Sequence, residues 1–353
     1  ASNTFKIRSQ SDALGYGTGA GYTESGNGLN SWATKPAAFT TTVASNLNSG
    51  ELVVSWKTPS NGNQPISKVD ILNAADQPVA TFSGATLTSA MTTAGQSNSY
   101  TIKNLTNGVS YTYKVRITNY VGSTVAQGAA IPYTRVSVPG NVSVASNGRD
   151  GELDVRWTTP ANNGSPITKI EIINTRNNNN VRKTISATSN QSEFTTAMTT
   201  AGQTASTTIK GLTGGRVYGI AVRITNAAGS TTSVSVDAVP AGPPTQTTDV
   251  TSKGTGTSGQ IKVTWTTPAN NGAPITSFDI INGATNAVLK NITAATDPLF
   301  WTDQVTNQGT SCTYFLTGMP NGTTYQIKVR ANNSAGSGQM SGTASAYAYT
   351  KPG

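Results

Sequence analysis

The chain has 353 residues, a net charge of +9 and no histidine, and 11% of its residues are charged, against roughly 25% in an average globular protein. No run of about 18 apolar residues occurs, so no stretch has the make-up of a membrane-spanning helix, and the lack of histidine removes the commonest general base and metal ligand. The positive charge is spread as zero, +4, +3 and +2 over residues 1–34, 35–136, 137–241 and 242–353, which argues against the clustered footprint of a nucleic-acid surface.

Residues 1–34 come first and are rich in glycine, as in Gly15-Tyr-Gly-Thr-Gly-Ala-Gly-Tyr22. No charged-then-apolar leader is visible in them. Ordering a residue costs about 1–2 kcal/mol of backbone entropy, and glycine loses the most freedom. Large side chains are too sparse here to offset that cost alone, so an extended arm is expected. Phe5, Ile7, Tyr16, Tyr22 and Trp32 are then candidate anchors that bury against other protein subunits. The alternative is an arm lying along the first folded repeat, pinned by Trp32 and Phe39.

The next 319 residues repeat themselves three times. Glu51-Leu-Val-Val-Ser-Trp56-Lys-Thr-Pro59 returns as Glu152-Leu-Asp-Val-Arg-Trp157-Thr-Thr-Pro160 and as Gln260-Ile-Lys-Val-Thr-Trp265-Thr-Thr-Pro268. Apolar residues alternate with polar ones, the period of a strand with one buried face, and proline ends the strand. An Asn/Gly turn follows, and Pro65, Pro166 or Pro274 leads into a second strand at Ile66, Ile167 or Ile275. Later, Leu105, Leu212 and Met319 each precede a tyrosine by six positions, at Tyr111, Tyr218 and Tyr325. A strand continues from each tyrosine to Asn119, Asn226 or Asn333, and a Gly-Ser turn closes it. Short, proline-bearing linkers at 133–139 and 239–244 predict an extended, semi-rigid arrangement.

This set of residues resembles the fibronectin type III domain: a tryptophan on the second strand, a Pro-Ile opening to the third, and a Leu-x5-Tyr entry to a Val-Arg strand. The resemblance implies an all-β chain of three tandem immunoglobulin-like β-sandwiches at 35–136, 137–241 and 242–353, behind an extended N-terminal arm at 1–34. It also implies Trp56, Trp157 and Trp265 as core centrepieces. Tyr111, Tyr218 and Tyr325 become corner residues whose hydroxyls bond back to backbone near the preceding Leu or Met. The Trp-to-Tyr spacings are 55, 61 and 60 residues, longer than expected for the family, and the excess follows the third strand.

Candidate sites outside the shared pattern are few. Lys114, Arg116, Arg223, Lys328 and Arg330 form a repeated basic series, but Asp70, Glu171 and Asp279 on the third strands are expected to pair with the three arginines at exposed positions. Phe300 and Trp301 suggest stacking on a sugar, yet Trp301 aligns with Leu87 and Phe194, which favours core cover. The second repeat alone has the tract Asn177–Asn180, expected as a hairpin tip. Arg176, Asn178, Asn179 and Arg182 are its candidate partner-binding residues. Cys312 is a lone cysteine and cannot make an internal disulfide; it reads as a half-buried strand residue. No catalytic, cofactor-binding or metal-binding set is legible. The expectation is a non-enzymatic structural or binding protein on a virion surface, a capsid decoration, fibre or tail component held by its arm. The alternative is a secreted surface protein, adhesin stalk or accessory module of a polysaccharide-acting enzyme. Other subunits, and cell-surface glycans as a second class, are the partners; nucleic acid and membrane insertion are not expected.

Overall fold

A computed structural model describes residues 32–302 and 305–352. Their regular structure is almost all β-strand, which forms six sheets in three tandem domains. The first repeat contains β1 (Thr41–Ser45), β2 (Leu52–Lys57), β3 (Lys68–Leu72), β4 (Pro78–Ser83), β5 (Ser97–Ile102), β6 (Tyr111–Thr118) and β7 (Ser123–Ala130). Its sheets run β1-β2-β5 and β4-β3-β6-β7. The second contains β8 (Gly140–Ser146), β9 (Leu153–Thr158), β10 (Lys169–Asn174), β11 (Asn180–Ser186), β12 (Thr204–Ile209), β13 (Tyr218–Asn226), β14 (Gly229–Thr232) and β15 (Val236–Ala238). Its sheets run β8-β9-β12 and β11-β10-β13-β14, with β15 also on β13. The third contains β16 (Thr248–Gly254), β17 (Ile261–Thr266), β18 (Ile275–Asn282), β19 (Val288–Ile292), β20 (Ser311–Leu316), β21 (Thr324–Asn333), β22 (Gly336–Ser337) and β23 (Ala344–Tyr347). Its sheets run β16-β17-β20 and β19-β18-β21-β22, with β23 also on β21.

The alternation seen in sequence sets which side chains go inside. Leu52, Val54 and Trp56 on β2 are buried, as are Leu153, Val155 and Trp157 on β9 and Ile261, Val263 and Trp265 on β17. In the second repeat Trp157 sits in a core with Ile170, Ile172, Val222 and Ile224. In the third, Trp265 packs 5.2 Å from Phe278, centroid to centroid, in a core with Ile280 and Val329. Among the described residues none of the three indole Nε1–H groups meets an acceptor, so these rings contribute through packing alone.

The segment after the third strand, which lengthens the Trp-to-Tyr spacing, is tied down the same way in every repeat. Thr58, Thr159 and Thr267, two residues beyond each tryptophan, are buried. Their hydroxyls donate to the carbonyls of Ala90, Ala197 and Val305 at 2.6, 2.6 and 2.7 Å. Their amides donate to Gln96, Gln203 and Thr310, and their carbonyls accept from Gly95, Gly202 and Gly309. Each threonine therefore spends its backbone and side chain on the insertion. That places Met91, Met198 and Val305 in buried positions.

The tyrosine corners form with one variation. The Tyr111 and Tyr218 hydroxyls accept from the Thr106 and Thr213 amides at 3.0 and 2.9 Å. In the third repeat the matching residue is Pro320, which has no N–H, and the Tyr325 hydroxyl instead donates to the Pro320 carbonyl at 3.3 Å.

Candidate functional site

Three kinds of place could carry function: the charged rows on the four- and five-stranded sheets, the segments that enter and leave each repeat, and the features unique to one repeat.

The charged rows are built by strand register. Asp70 on β3 lies opposite Arg116 on β6, Glu171 on β10 opposite Arg223 on β13, and Asp279 on β18 opposite Arg330 on β21. The pairs close at 2.7, 2.9 and 2.8 Å. The expected pairing is present, but the expected exposure is wrong: Asp70, Glu171 and Asp279 are buried. The physical reason is position, since each carboxylate sits on a strand flanked on both sides, and an arginine from the neighbouring strand lies against it. Thr81 donates to Asp70 at 2.8 Å and Asn291 to Asp279 at 2.7 Å from the far strand, and Lys68 and Lys169 reach Asp70 and Glu171 at 3.1 and 3.2 Å. Burial works to raise the three carboxyls. Hydrogen bonds outweigh it, led by Arg116 for Asp70, Arg223 for Glu171, and Asn291 then Arg330 for Asp279, and hold all three below the ordinary carboxylate range. The arginines are thus committed within their own domains. Lys114 pairs with Asp76 at 2.7 Å.

The entry segments carry a device that the sequence reading passed over. Asn226 and Asn333 end the sixth strand of their repeats, Asn119 directly follows the sixth strand of the first, and all three are buried. Asn119 Nδ2 donates to Thr34 O at 2.7 Å and Asn61 O at 2.8 Å. Asn226 Nδ2 donates to Thr134 O at 2.8 Å and Asn162 O at 3.0 Å. Asn333 Nδ2 donates to Gly242 O and Asn270 O, both at 2.8 Å. The other end of each amide, Oδ1, accepts from the Gly-Ser turn, as from Gly122, Ala228 and Gly336 amides. One asparagine thereby joins three chain segments: the segment entering the repeat, the Asn/Gly turn after the second strand, and the turn after the sixth. The recurrence of Asn before each Gly-Ser turn was the available signal.

At the two linkers the neighbouring repeats share this bonding. Gly108 N donates to Pro132 O at 3.0 Å, and two residues on Thr134 N donates to Asn163 O at 3.1 Å. The second linker repeats it, with Gly215 N to Pro240 O at 3.0 Å and Gly242 N to Asn271 O at 2.8 Å. Asn163 and Asn271 side chains add bonds to Arg135 O and Pro243 O, each at 2.7 Å. The contact needs glycine: a Cβ on Gly164, at φ +89°, would stand 2.5 Å from Gly108 N and 2.7 Å from Pro132 O.

The unique features are placed as follows. Phe5, Ile7, Tyr16 and Tyr22 lie outside the described residues. Trp32 is 80% exposed, whereas Phe39 is half-buried. The tip between β10 and β11 is a turn in which Asn178 and Asn179 adopt φ of 47° and 55° and are exposed. Its basic residues have partners inside the domain. Arg176 Nε reaches Asp237 at 3.0 Å, Arg182 reaches Gly211 O at 3.2 Å, and Lys183 reaches Glu193 at 2.7 Å. Phe300 and Trp301 cover the third core, 5.7 Å from Trp265 and 5.9 Å from Phe278 respectively. Cys312 is fully rather than half buried, because it faces inward opposite Trp265, and burial raises its thiol pKa. Among the described residues no three His, Cys, Asp or Glu side chains gather as metal ligands would.

No curated protein matches the chain. Among solved structures, the FN1-FN3 domains of chicken CNTN1 align with 16% identity over 88% of this chain and 99% of that one, with a TM-score of 0.31. An I-band fragment from titin aligns with 11% identity over 91% of this chain and 100% of that one, with a TM-score of 0.43. The model of the fibronectin type III domain matches residues 36–131, 137–238 and 242–347. With strands, buried tryptophans and tyrosine corners placed as above, the chain belongs to the fibronectin type III family, as three tandem copies.

Proposed function

We propose that the chain is a non-enzymatic structural protein of a larger assembly, in which three coupled repeats act as a spacer and residues 1–34 as the anchor. The observation that carries this reading is the bonding of the linkers: Pro132 and Thr134, and then Pro240 and Gly242, are held by the repeat before and the repeat after. A chain used only to tether loosely has no need of such joints. The charged side chains support the same reading, since the strand arginines are turned inward to carboxylates rather than offered to a ligand.

The setting we propose is the surface of a virion, with the arm seated among other subunits. A surface solubilised by Thr, Ser and Asn, with 11% charged residues, suits a particle exterior. The test is direct. Particles purified from the source are probed with an antibody to the repeats, and incorporation of the full chain is compared with that of a chain lacking residues 1–30. The full chain is expected in the particles and the truncated chain only in the soluble fraction. Detection solely in the cell-free medium or cell wall would replace the virion reading with that of a secreted surface protein.

A further inference from the structure

The three repeats differ at one edge. Their three-stranded sheets end on β5, β12 and β20, whose sequences in register are Ser97-Asn-Ser-Tyr-Thr-Ile102, Thr204-Ala-Ser-Thr-Thr-Ile209 and Ser311-Cys-Thr-Tyr-Phe-Leu316. The penultimate residue is Thr101, Thr208 and Phe315. Only the third repeat puts a large apolar side chain there, and Phe315 is 50% exposed. Nearby, Leu299 is 98% exposed, where the aligned residues of the other repeats are Ala85 and Ser192. With Phe300, Val305 and Tyr314 they line an open groove of about 470 Å3 beside β20.

Exposing Leu299 and Phe315 together carries a hydrophobic cost that the chain avoids at the same positions twice over. An edge strand also offers a row of backbone donors and acceptors, ready to pair with an extended segment. Both features ask for one kind of occupant: a short strand with apolar side chains on one face. The chain contains such a segment. Thr4-Phe-Lys-Ile-Arg8 alternates, with Phe5 and Ile7 on one face and Lys6 and Arg8 between and after them. Side chains two apart along a strand lie about 7 Å apart on the same side, so Phe5 and Ile7 would present one apolar ridge.

We propose that the edge of β20 and its groove receive residues 4–8 of a second copy as an added strand, with Phe5 and Ile7 packed on Leu299 and Phe315. This rests on the anchoring role given to the arm above and names what the arm grips. Because β5 and β12 carry threonine at the matching position, each copy offers one such site, and copies link in series.

The test uses the full chain. A labelled peptide of residues 1–12 is titrated into the chain carrying Phe5→Ser and Ile7→Ser, so that its own arm cannot compete. Saturable binding is expected. It should weaken about tenfold or more when Leu299→Ser and Phe315→Thr install side chains drawn from the sister repeats, with the melting temperature unchanged. Unaltered binding to that variant, or no binding to the first, overturns the site. Sedimentation of the wild-type chain should show self-association that both sets of substitutions abolish. Peptide binding with a wild-type chain that stays monomeric at all concentrations would mean that each arm occupies its own groove, and would overturn the second-copy assignment. The anchor reading is separable: if removing residues 1–30 abolishes incorporation while Leu299→Ser/Phe315→Thr incorporates normally, the groove is wrong and the anchor stands.

Discussion

At the scale of single residues, the amide of asparagine does what no other short side chain can: it donates twice from one end and accepts at the other. Asn226 uses both ends while buried, so truncation removes bonds and strands the Thr134 and Asn162 carbonyls. Asn226→Ala is expected to cost about 2–3 kcal/mol in urea unfolding and to speed proteolytic cleavage within residues 131–137. Asn226→Asp should be as costly, because it sets a negative charge against two carbonyl oxygens. A loss below about 0.5 kcal/mol for both would show that the linker is held by backbone bonds alone. Pro320 illustrates the same point in reverse: losing one N–H turns the Tyr325 hydroxyl from acceptor to donor, and the corner survives.

At the scale of elements, the third strand of each repeat carries a buried carboxylate that an arginine on the neighbouring strand satisfies. Removing one partner leaves a charge with too few bonds, so Arg330→Leu should destabilise by about 2 kcal/mol, more than an exposed ion pair would. The pH dependence follows from the depressed carboxyls. A group whose folded pKa lies below its unfolded value adds stability that is complete above the unfolded value, near pH 4, and is lost as pH falls through the folded one. The wild-type chain should therefore lose stability below about pH 4, and Asp70→Asn/Glu171→Gln/Asp279→Asn should flatten that acid limb while lowering stability at neutral pH. Equal acid sensitivity of the two proteins, followed by thermal melting, would place the acid response elsewhere.

At the scale of the whole molecule, the question is whether neighbouring repeats act together. Gly164 tests it, because the atoms a Cβ would meet belong to the preceding repeat and the linker. Gly202 has a similar φ, +80°, but no atom within 4 Å of a Cβ, so it isolates the conformational cost. Gly202→Ala should cost about 1 kcal/mol and leave the linker protected. Gly164→Ala should cost more and expose residues 131–137 to hydrogen exchange, since the two backbones must separate. If the two substitutions behave alike, the repeats are coupled by covalent connection only.

The sequence by itself determined the strands, the inward tryptophans, the corner tyrosines and the division into three copies. The strands and inward tryptophans follow from period-two alternation and from Pro, Gly and Asn at fixed offsets, all of which act over a few residues, and the corner tyrosines from the resemblance to the fibronectin type III domain. It also showed that Asp70, Glu171 and Asp279 had arginine partners, because neighbouring strands in a known fold fix who faces whom. Only the tertiary structure decided that those carboxylates are buried, since burial depends on what the strand on the far side lays over them. It also decided that Asn119, Asn226 and Asn333 bind entering chain, because that contact spans up to 92 residues for Asn226, and the recurrence of Asn before each Gly-Ser turn does not say what it binds. The groove beside β20 belongs to the same class. Leu299 and Phe315 are separated by 15 intervening residues, and their shared exposure arises where an edge strand and an insertion meet.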